Sequence, residues 1–108
     1  MNRTTEQETV ARLWQEHRDA AFPAGLRRTE LAEGIHMVPL DLDIAMNVSS
    51  WLDHGDSFHA ERRRVLSKCL ADIDQVLPLI TEAEELSYCQ RLRQMAQLLF
   101  EAGPQPTK

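Results

Sequence analysis

Residues 65–99 read VLSKCLADIDQVLPLITEAEELSYCQRLRQMAQLL and decide the fold, because they contain two helical patterns joined at Pro78. Proline lacks a backbone N–H and disfavours helix in the residue before it, so the first helix is predicted to end there. Residues 81–84 read TEAE, a capping box that starts the second helix. A connection this short predicts an antiparallel helical hairpin. The residues predicted to be buried are Val65, Leu66, Cys69, Leu70, Ile73, Val76 and Leu77 before the turn, and Leu86, Cys89, Leu92, Met95, Ala96 and Leu99 after it.

The two cysteines of the chain lie on these facing patterns. Cys69 and Cys89 are each ten residues from Leu79, which predicts that they sit at one level of the hairpin. Packed helix axes lie about 8–10 Å apart, whereas a disulfide needs Cα atoms within roughly 4.4–6.8 Å. We therefore predict two small buried thiols rather than a bridge.

Another helical pattern opens the chain. Residues 5–8 read TEQE, a second capping box, and apolar side chains follow at helical spacing until Pro23 and Gly25 end the pattern. We expect a helix over about residues 5–21. His17 lies on its apolar stripe, which favours a hydrogen-bonded, partly buried histidine over a catalytic one.

The stretch before the middle of the chain is ambiguous. Residues 26–40 contain two apolar arms around Gly34, and the second arm ends at Pro39, so a short β-hairpin is predicted, with an irregular loop as the alternative. A helix capped by Asp41 should then run to Gly55. It has no charged residue over positions 44–52, which predicts a helix at the centre of the fold.

These elements predict one mainly α, four-helix bundle-like domain over residues 1–108, with disordered tails at 1–4 and 104–108. A net charge of −5 argues against general nucleic-acid binding. The chain contains no apolar run long enough to cross a membrane and no apolar secretory signal at its start, so a cytoplasmic protein is expected.

The excess negative charge lies at the two ends of the predicted central helix. Residues 41–56 contain four aspartates and no lysine or arginine. Helix capping explains aspartates at these positions, and a binding site for a basic protein is the functional alternative. A polar face with spacings of four, three and four residues crosses the same helix, and it either faces water or meets a partner. The predicted partner-binding residues are Asp43, Asn47, Ser50, Asp53, His54 and Asp56.

The functional hypothesis is accordingly a small, non-catalytic interaction or regulatory module, with an immunity-protein or antitoxin-like role suggested by analogy alone. No catalytic motif, phosphate-binding loop or cofactor signature occurs in the sequence. One alternative is a metal or small-ligand site, although a helix break separates its two histidines; its residues would be His54, Asp56, His59 and Glu61. Another alternative is a homodimer held by apolar surface that Leu98 and Phe100 add to the last helix.

Overall fold

The computed structural model describes residues 5–27, 32–55 and 59–102, and these form four α-helices and two short 3-10 helices. Because the four helices pack against one another, the prediction of a mainly α, bundle-like fold is confirmed. The α-helices are α1 (Thr5–Asp19), α2 (Met37–His54), α3 (His59–Val76) and α4 (Ala83–Ala102), and the 3-10 helices are Ala24–Arg27 and Leu77–Leu79.

The hairpin of α3 and α4 turns where the proline predicted it. Pro78 lies inside the 3-10 helix Leu77–Leu79, which separates the two α-helices. Across the hairpin, Arg93 Nε donates a hydrogen bond to Asp74 Oδ1 at 2.6 Å.

Cys69 and Cys89 are both buried free thiols, as predicted. Desolvation by burial is the main cause that raises the pKa of the Cys69 thiol to about 11 and that of Cys89 to about 12.

One hydrophobic core joins the four helices. Helix α4 packs against α1, α2 and α3, and α2 likewise contacts the other three helices. The described apolar residues of α1, α2 and the hairpin meet in this core because their buried stripes recur at helical spacing. Its largest fully buried side chains include Trp51, Leu26, Met37, Ile44, Leu66, Ile73, Leu92 and Met95.

The predicted β-hairpin before α2 is wrong. The described residues there contain no strand, and the pairing is reduced to one isolated antiparallel bridge between Ala32 and Ile35. The predicted turn itself is confirmed, because Gly34 has a φ of 76°. The second arm becomes helix since Met37 is fully buried against the core, and that contact outweighs the strand-like local composition.

Helix α2 therefore starts at Met37, four residues before the expected cap at Asp41. Pro39 is its third residue, a position whose N–H would have no partner within the helix, so proline is tolerated there. At the other end Gly55 has a φ of 72° and its N–H donates to Trp51 O at 2.9 Å, which confirms the predicted stop. The predicted disordered tails, residues 1–4 and 104–108, lie outside the described residues.

Candidate functional site

Helix α2 exposes large apolar side chains on the side away from the core. Val38 is 48% exposed, Leu42 56% and Met46 62%, and they follow one another at intervals of four residues. Ala45, Ser49 and Leu52 continue the same side of the helix and are half-buried. The absence of charged residues over positions 44–52 of α2 thus has two causes, a buried face and an exposed apolar one. We call these six residues, Val38, Leu42, Ala45, Met46, Ser49 and Leu52, the outer face of α2.

A groove between α1 and α2 runs beside this face. Its volume is about 440 Å³, and aromatic and aliphatic side chains form most of its walls. A concave, largely apolar depression with a few polar groups is the usual form of a binding site. The residues that line this α1/α2 groove are Trp14, His17, Arg18, Phe22, Arg27, Val38, Asp41, Leu42 and Ala45.

Three polar side chains meet beneath the groove. The Tyr88 hydroxyl donates a hydrogen bond to Asp41 Oδ2 at 2.6 Å, and His17 Nε2 lies 3.0 Å from Asp41 Oδ1. Because a carboxylate only accepts hydrogen bonds, His17 Nε2 is the donor in this contact. The expectation that His17 is a buried, hydrogen-bonded residue is therefore confirmed. Its Nδ1 is buried and has no hydrogen-bond partner within the part of the chain that the structure describes.

Aromatic rings pack around this cluster. His17 stacks against Trp14 with ring centroids 5.9 Å apart, and Phe22 meets the Tyr88 ring edge-on at 5.4 Å. Burial, followed by the hydrogen bond to Asp41, raises the pKa of the Tyr88 hydroxyl far above its ordinary value. Tyr88 thus acts as a hydrogen-bond donor, and the three side chains fix the floor of the groove.

Two arginines border the groove. Arg18 comes from the last turn of α1, and Arg27 ends the first 3-10 helix, and both side chains are exposed. The Arg27 guanidinium carbon lies 5.1 Å from the centre of the Phe22 ring, which holds the cation beside the apolar wall. The groove therefore combines apolar walls with a positively charged edge.

The predicted polar face lies on another side of α2, towards α3. Asp43 is exposed, and its backbone carbonyl accepts a hydrogen bond from Asn47 Nδ2 at 2.8 Å. Ser50 Oγ accepts one from Arg62 Nη2 at 3.2 Å. Arg62 is only 4% exposed and also donates to Gly55 O at 3.1 Å, so part of this face joins α2 to the start of α3.

The predicted acidic residues separate into different environments. Asp41 is committed to Tyr88 and His17. Asp43 lines a second depression of about 410 Å³ together with Lys68 and Arg64, which places cations near its charge. Asp53 and His54 are exposed at the end of α2, and Asp56 lies outside the described residues. The three described aspartates, Asp41, Asp43 and Asp53, therefore lie in different environments and do not form one acidic patch.

The metal alternative gains no support from the described residues. Glu61 forms an ion pair with Arg64, and His54 is exposed at the end of α2. Asp56 and the side chain of His59 lie outside what the structure describes. Within the described part, no three His, Cys, Asp or Glu side chains are grouped so as to hold a metal ion.

The surplus apolar surface lies on α2 rather than on the last helix. Leu98 and Phe100 are half-buried and pack against the core. The Arg63 guanidinium covers the Phe100 ring at 4.0 Å and donates to Phe100 O at 2.7 Å. Among the described large apolar residues, those that are exposed are Val38, Leu42, Met46 and Leu79.

Comparison of the chain with family models, curated proteins and solved structures finds no match. Across the residues described, no helix has the length and apolar character needed to cross a bilayer.

Proposed function

We propose that this protein is a non-catalytic interaction module that docks an apolar helical surface of a protein on the outer face of α2 and in the α1/α2 groove. The observation that carries the proposal is the exposure of Val38, Leu42 and Met46 along one side of a helix. Contiguous exposed apolar side chains with a polar border are typical of protein interaction sites.

The shape of the surface favours a helix as the bound element. The outer face of α2 advances by four, three, four and three residues through Val38, Leu42, Ala45, Ser49 and Leu52. Residues at this spacing form a continuous stripe, or seam, of the kind that packs against another helix. At 1.5 Å per residue the seam from Val38 to Leu52 is roughly 20 Å long. Small side chains at Ala45 and Ser49 give large apolar side chains of the bound helix room beside the groove.

The charges along this surface suggest the direction of the bound helix. Arg18 and Arg27 stand at the groove near the start of α2, and Asp53 is exposed near its end. By helical spacing Asp53 follows Ser49 on the same side of α2. A helix that is acidic at one end and basic at the other would match both charges.

The earlier hypothesis, a basic partner bound by the polar face, has weaker support. Ser50 accepts a hydrogen bond from Arg62, and Asp43 lies in a depression that Lys68 and Arg64 also line. Lys68 and Arg64 are themselves paired with Asp72 and Glu61, so charges of both signs lie around Asp43, and the proposed attraction for a basic protein rests mainly on Asp53. A cytoplasmic location is likewise proposed, because free buried thiols suit a reducing compartment.

Titration with a synthetic amphipathic peptide would test the docking proposal. The probe is a helix of about 18 residues with leucines at alternating three- and four-residue spacing, two glutamates at one end and two lysines at the other. We expect saturable binding followed by amide chemical-shift changes in α1 and α2. Leu42→Glu should weaken binding at least about tenfold, because it places a charge in the seam.

Leu79→Glu is the matched control, since Leu79 is 58% exposed and lies in the turn between α3 and α4. Equal weakening by both variants would contradict the proposal, as would shift changes centred on α3 and α4 or the absence of saturable binding.

A further inference from the structure

We infer that the α1/α2 groove binds a small aromatic carboxylate, with the aromatic ring between the two helices and the carboxylate against Arg18 and Arg27. The volume of the groove, about 440 Å³, lies within the range of roughly 300–1,000 Å³ that is usual for small-molecule pockets. This inference goes beyond the docking of a helical surface, because it requires only the groove and its two arginines.

Apolar side chains that the fold leaves partly uncovered form the walls of the groove. Trp14 and Phe22 line it on the α1 side and are each half-buried. Val38 and Leu42 line it on the α2 side and are 48% and 56% exposed. Aromatic rings pack favourably against one another in offset-stacked or edge-on arrangements. A ligand with a flat apolar ring would therefore cover surface that the described part of the chain leaves exposed.

The two arginines at the groove are available to an anion. Within the described residues, neither Arg18 nor Arg27 forms an ion pair with an acidic side chain. The Arg27 guanidinium instead lies beside the Phe22 ring, with 5.1 Å between its central carbon and the centre of the ring. Because an arginine binds a carboxylate through two parallel charge-assisted hydrogen bonds, a ligand carboxylate supplies acceptors that the described residues do not provide.

One acidic side chain lines the groove among the residues described, and it is already hydrogen-bonded. The Asp41 carboxylate accepts a hydrogen bond from the Tyr88 hydroxyl at 2.6 Å and lies 3.0 Å from His17 Nε2. The Asp41 side chain is 15% exposed, so little of its carboxylate is accessible to a ligand. The accessible charge of the groove is therefore positive, and charge complementarity favours an anionic ligand over a cationic or neutral one.

The positions of these residues along the helices orient the ligand. Arg18 lies four residues after Trp14, so it is one turn further along the same side of α1. His17, which precedes Arg18, contacts Asp41 in the second turn of α2, so this end of α1 lies at the start of α2. The carboxylate therefore belongs near the start of α2, and the ring lies further along the groove, towards Trp14 and Leu42.

Titration of the natural chain with 3-phenylpropionate tests the site, and the amide of the same acid is a neutral control of nearly the same shape. Binding is followed by the NMR signals of the backbone amides and of the two indole N–H groups. We expect saturable binding of 3-phenylpropionate with a Kd on the order of 1 mM or below, and binding of the amide weaker by at least about tenfold. The Trp14 indole signal should move, whereas that of Trp51, which is 2% exposed in the core, should not.

Removal of the two positive charges tests the position of the carboxylate. Arg18→Gln combined with Arg27→Gln should weaken the binding of 3-phenylpropionate at least about tenfold, to the level of the amide. Arg12→Gln is the matched control, because Arg12 is an exposed arginine of α1 that does not line the groove. Circular dichroism of each variant checks that the helices are intact.

Three results would overturn the inference: no saturable binding of 3-phenylpropionate, equal affinity for the acid and its amide, or equal weakening by Arg12→Gln and by the double variant. Its failure is distinguishable from that of the docking proposal, because the carboxylate and the amphipathic peptide are titrated separately. Where both bind, the carboxylate should raise the apparent Kd of the peptide, since Val38, Leu42 and Ala45 belong to both surfaces. Simultaneous binding without competition would place the carboxylate outside the groove and also overturn the inference.

Discussion

Replacing Tyr88 by phenylalanine tests whether the polar cluster under the groove holds α1, α2 and α4 together. The Tyr88 hydroxyl is a donor from α4 to the Asp41 carboxylate of α2, at 2.6 Å, and His17 of α1 contacts the same carboxylate at 3.0 Å. Phenylalanine keeps the ring, so its packing against Phe22 is preserved, and the substitution removes the hydroxyl alone.

The expected loss follows from the environment of that hydrogen bond. Hydrogen bonds to charged groups contribute about 1.5–3 kcal/mol to stability. Because Tyr88 is only 5% exposed, water cannot take the place of its hydroxyl as a hydrogen-bond donor to Asp41. The Asp41 side chain is 15% exposed and keeps its contact with His17, which places the cost in the middle of the range. We expect a loss of about 2 kcal/mol, and a fall in Tm of about 10 °C for a domain of this size.

Urea denaturation at neutral pH measures the free energy of unfolding of each variant. The double-mutant cycle of Tyr88→Phe with Asp41→Ala should give a coupling energy of about 1–2 kcal/mol between the two side chains. Gln94→Ala, at an exposed position of the same helix, is the control and should stay within about 0.5 kcal/mol of the natural chain. A loss below about 0.5 kcal/mol for Tyr88→Phe would show that this hydrogen bond does not join the helices.

Tyr88, the two thiols and Arg63 each give a further prediction. Tyr88 is the single tyrosine, and its pKa is raised in the folded chain, so its contribution to stability is complete below the unfolded pKa of about 10 and is lost as pH rises through the folded pKa. Tyrosinate absorbance should therefore appear together with the loss of helical circular dichroism. Tyrosinate absorbance in the folded chain at about pH 10 would contradict the burial of the hydroxyl. Burial raises the pKa of the Cys69 thiol to about 11 and that of the Cys89 thiol to about 12. Neither thiol should react with a thiol-disulfide reagent at neutral pH until denaturant is added, and rapid reaction of the folded chain would contradict their burial. Arg63→Met should lower the free energy of unfolding, measured in urea, by about 1–2 kcal/mol, because it removes the contacts with the ring and carbonyl of Phe100. The control is Arg64→Met, at a side chain 71% exposed, which should change stability by less than about 0.5 kcal/mol. Equal losses for the two variants would show that the Arg63–Phe100 contacts do not stabilise the fold.

Part of the candidate site could be anticipated from the sequence. The position of His17 on an apolar stripe predicted its burial, and the absence of charged residues over positions 44–52 predicted a helix with an unusually apolar middle. The sequence pattern could not tell that one apolar side of α2 stays exposed, because a helix that is apolar all round is also typical of a central one. The polar face at Asp43, Asn47, Ser50 and His54 was visible from spacing, whereas its contact with Arg62 of α3 was not.

The cluster beneath the groove had no signal in the sequence. Asp41 is 24 residues from His17 and 47 residues from Tyr88. Capping rules assigned Asp41 to a helix start, since they read only the residues next to it. Its carboxylate instead lies in the second turn of α2, where it meets side chains from two other helices.

The sequence by itself determined the number and order of the helices, the hairpin at Pro78 and the burial of both thiols. Each of these follows from local rules, namely helical spacing, capping residues and the missing N–H of proline. Only the tertiary structure decided where α2 begins, which of its sides is buried and what Asp41 binds. Those outcomes depend on contacts between residues far apart in the chain, such as the packing of Met37 into the core and the hydrogen bond of Tyr88 to Asp41. Local propensity yields to such contacts because the burial of one large apolar side chain contributes about 1.5–3 kcal/mol, more than the preference of a few residues for strand over helix.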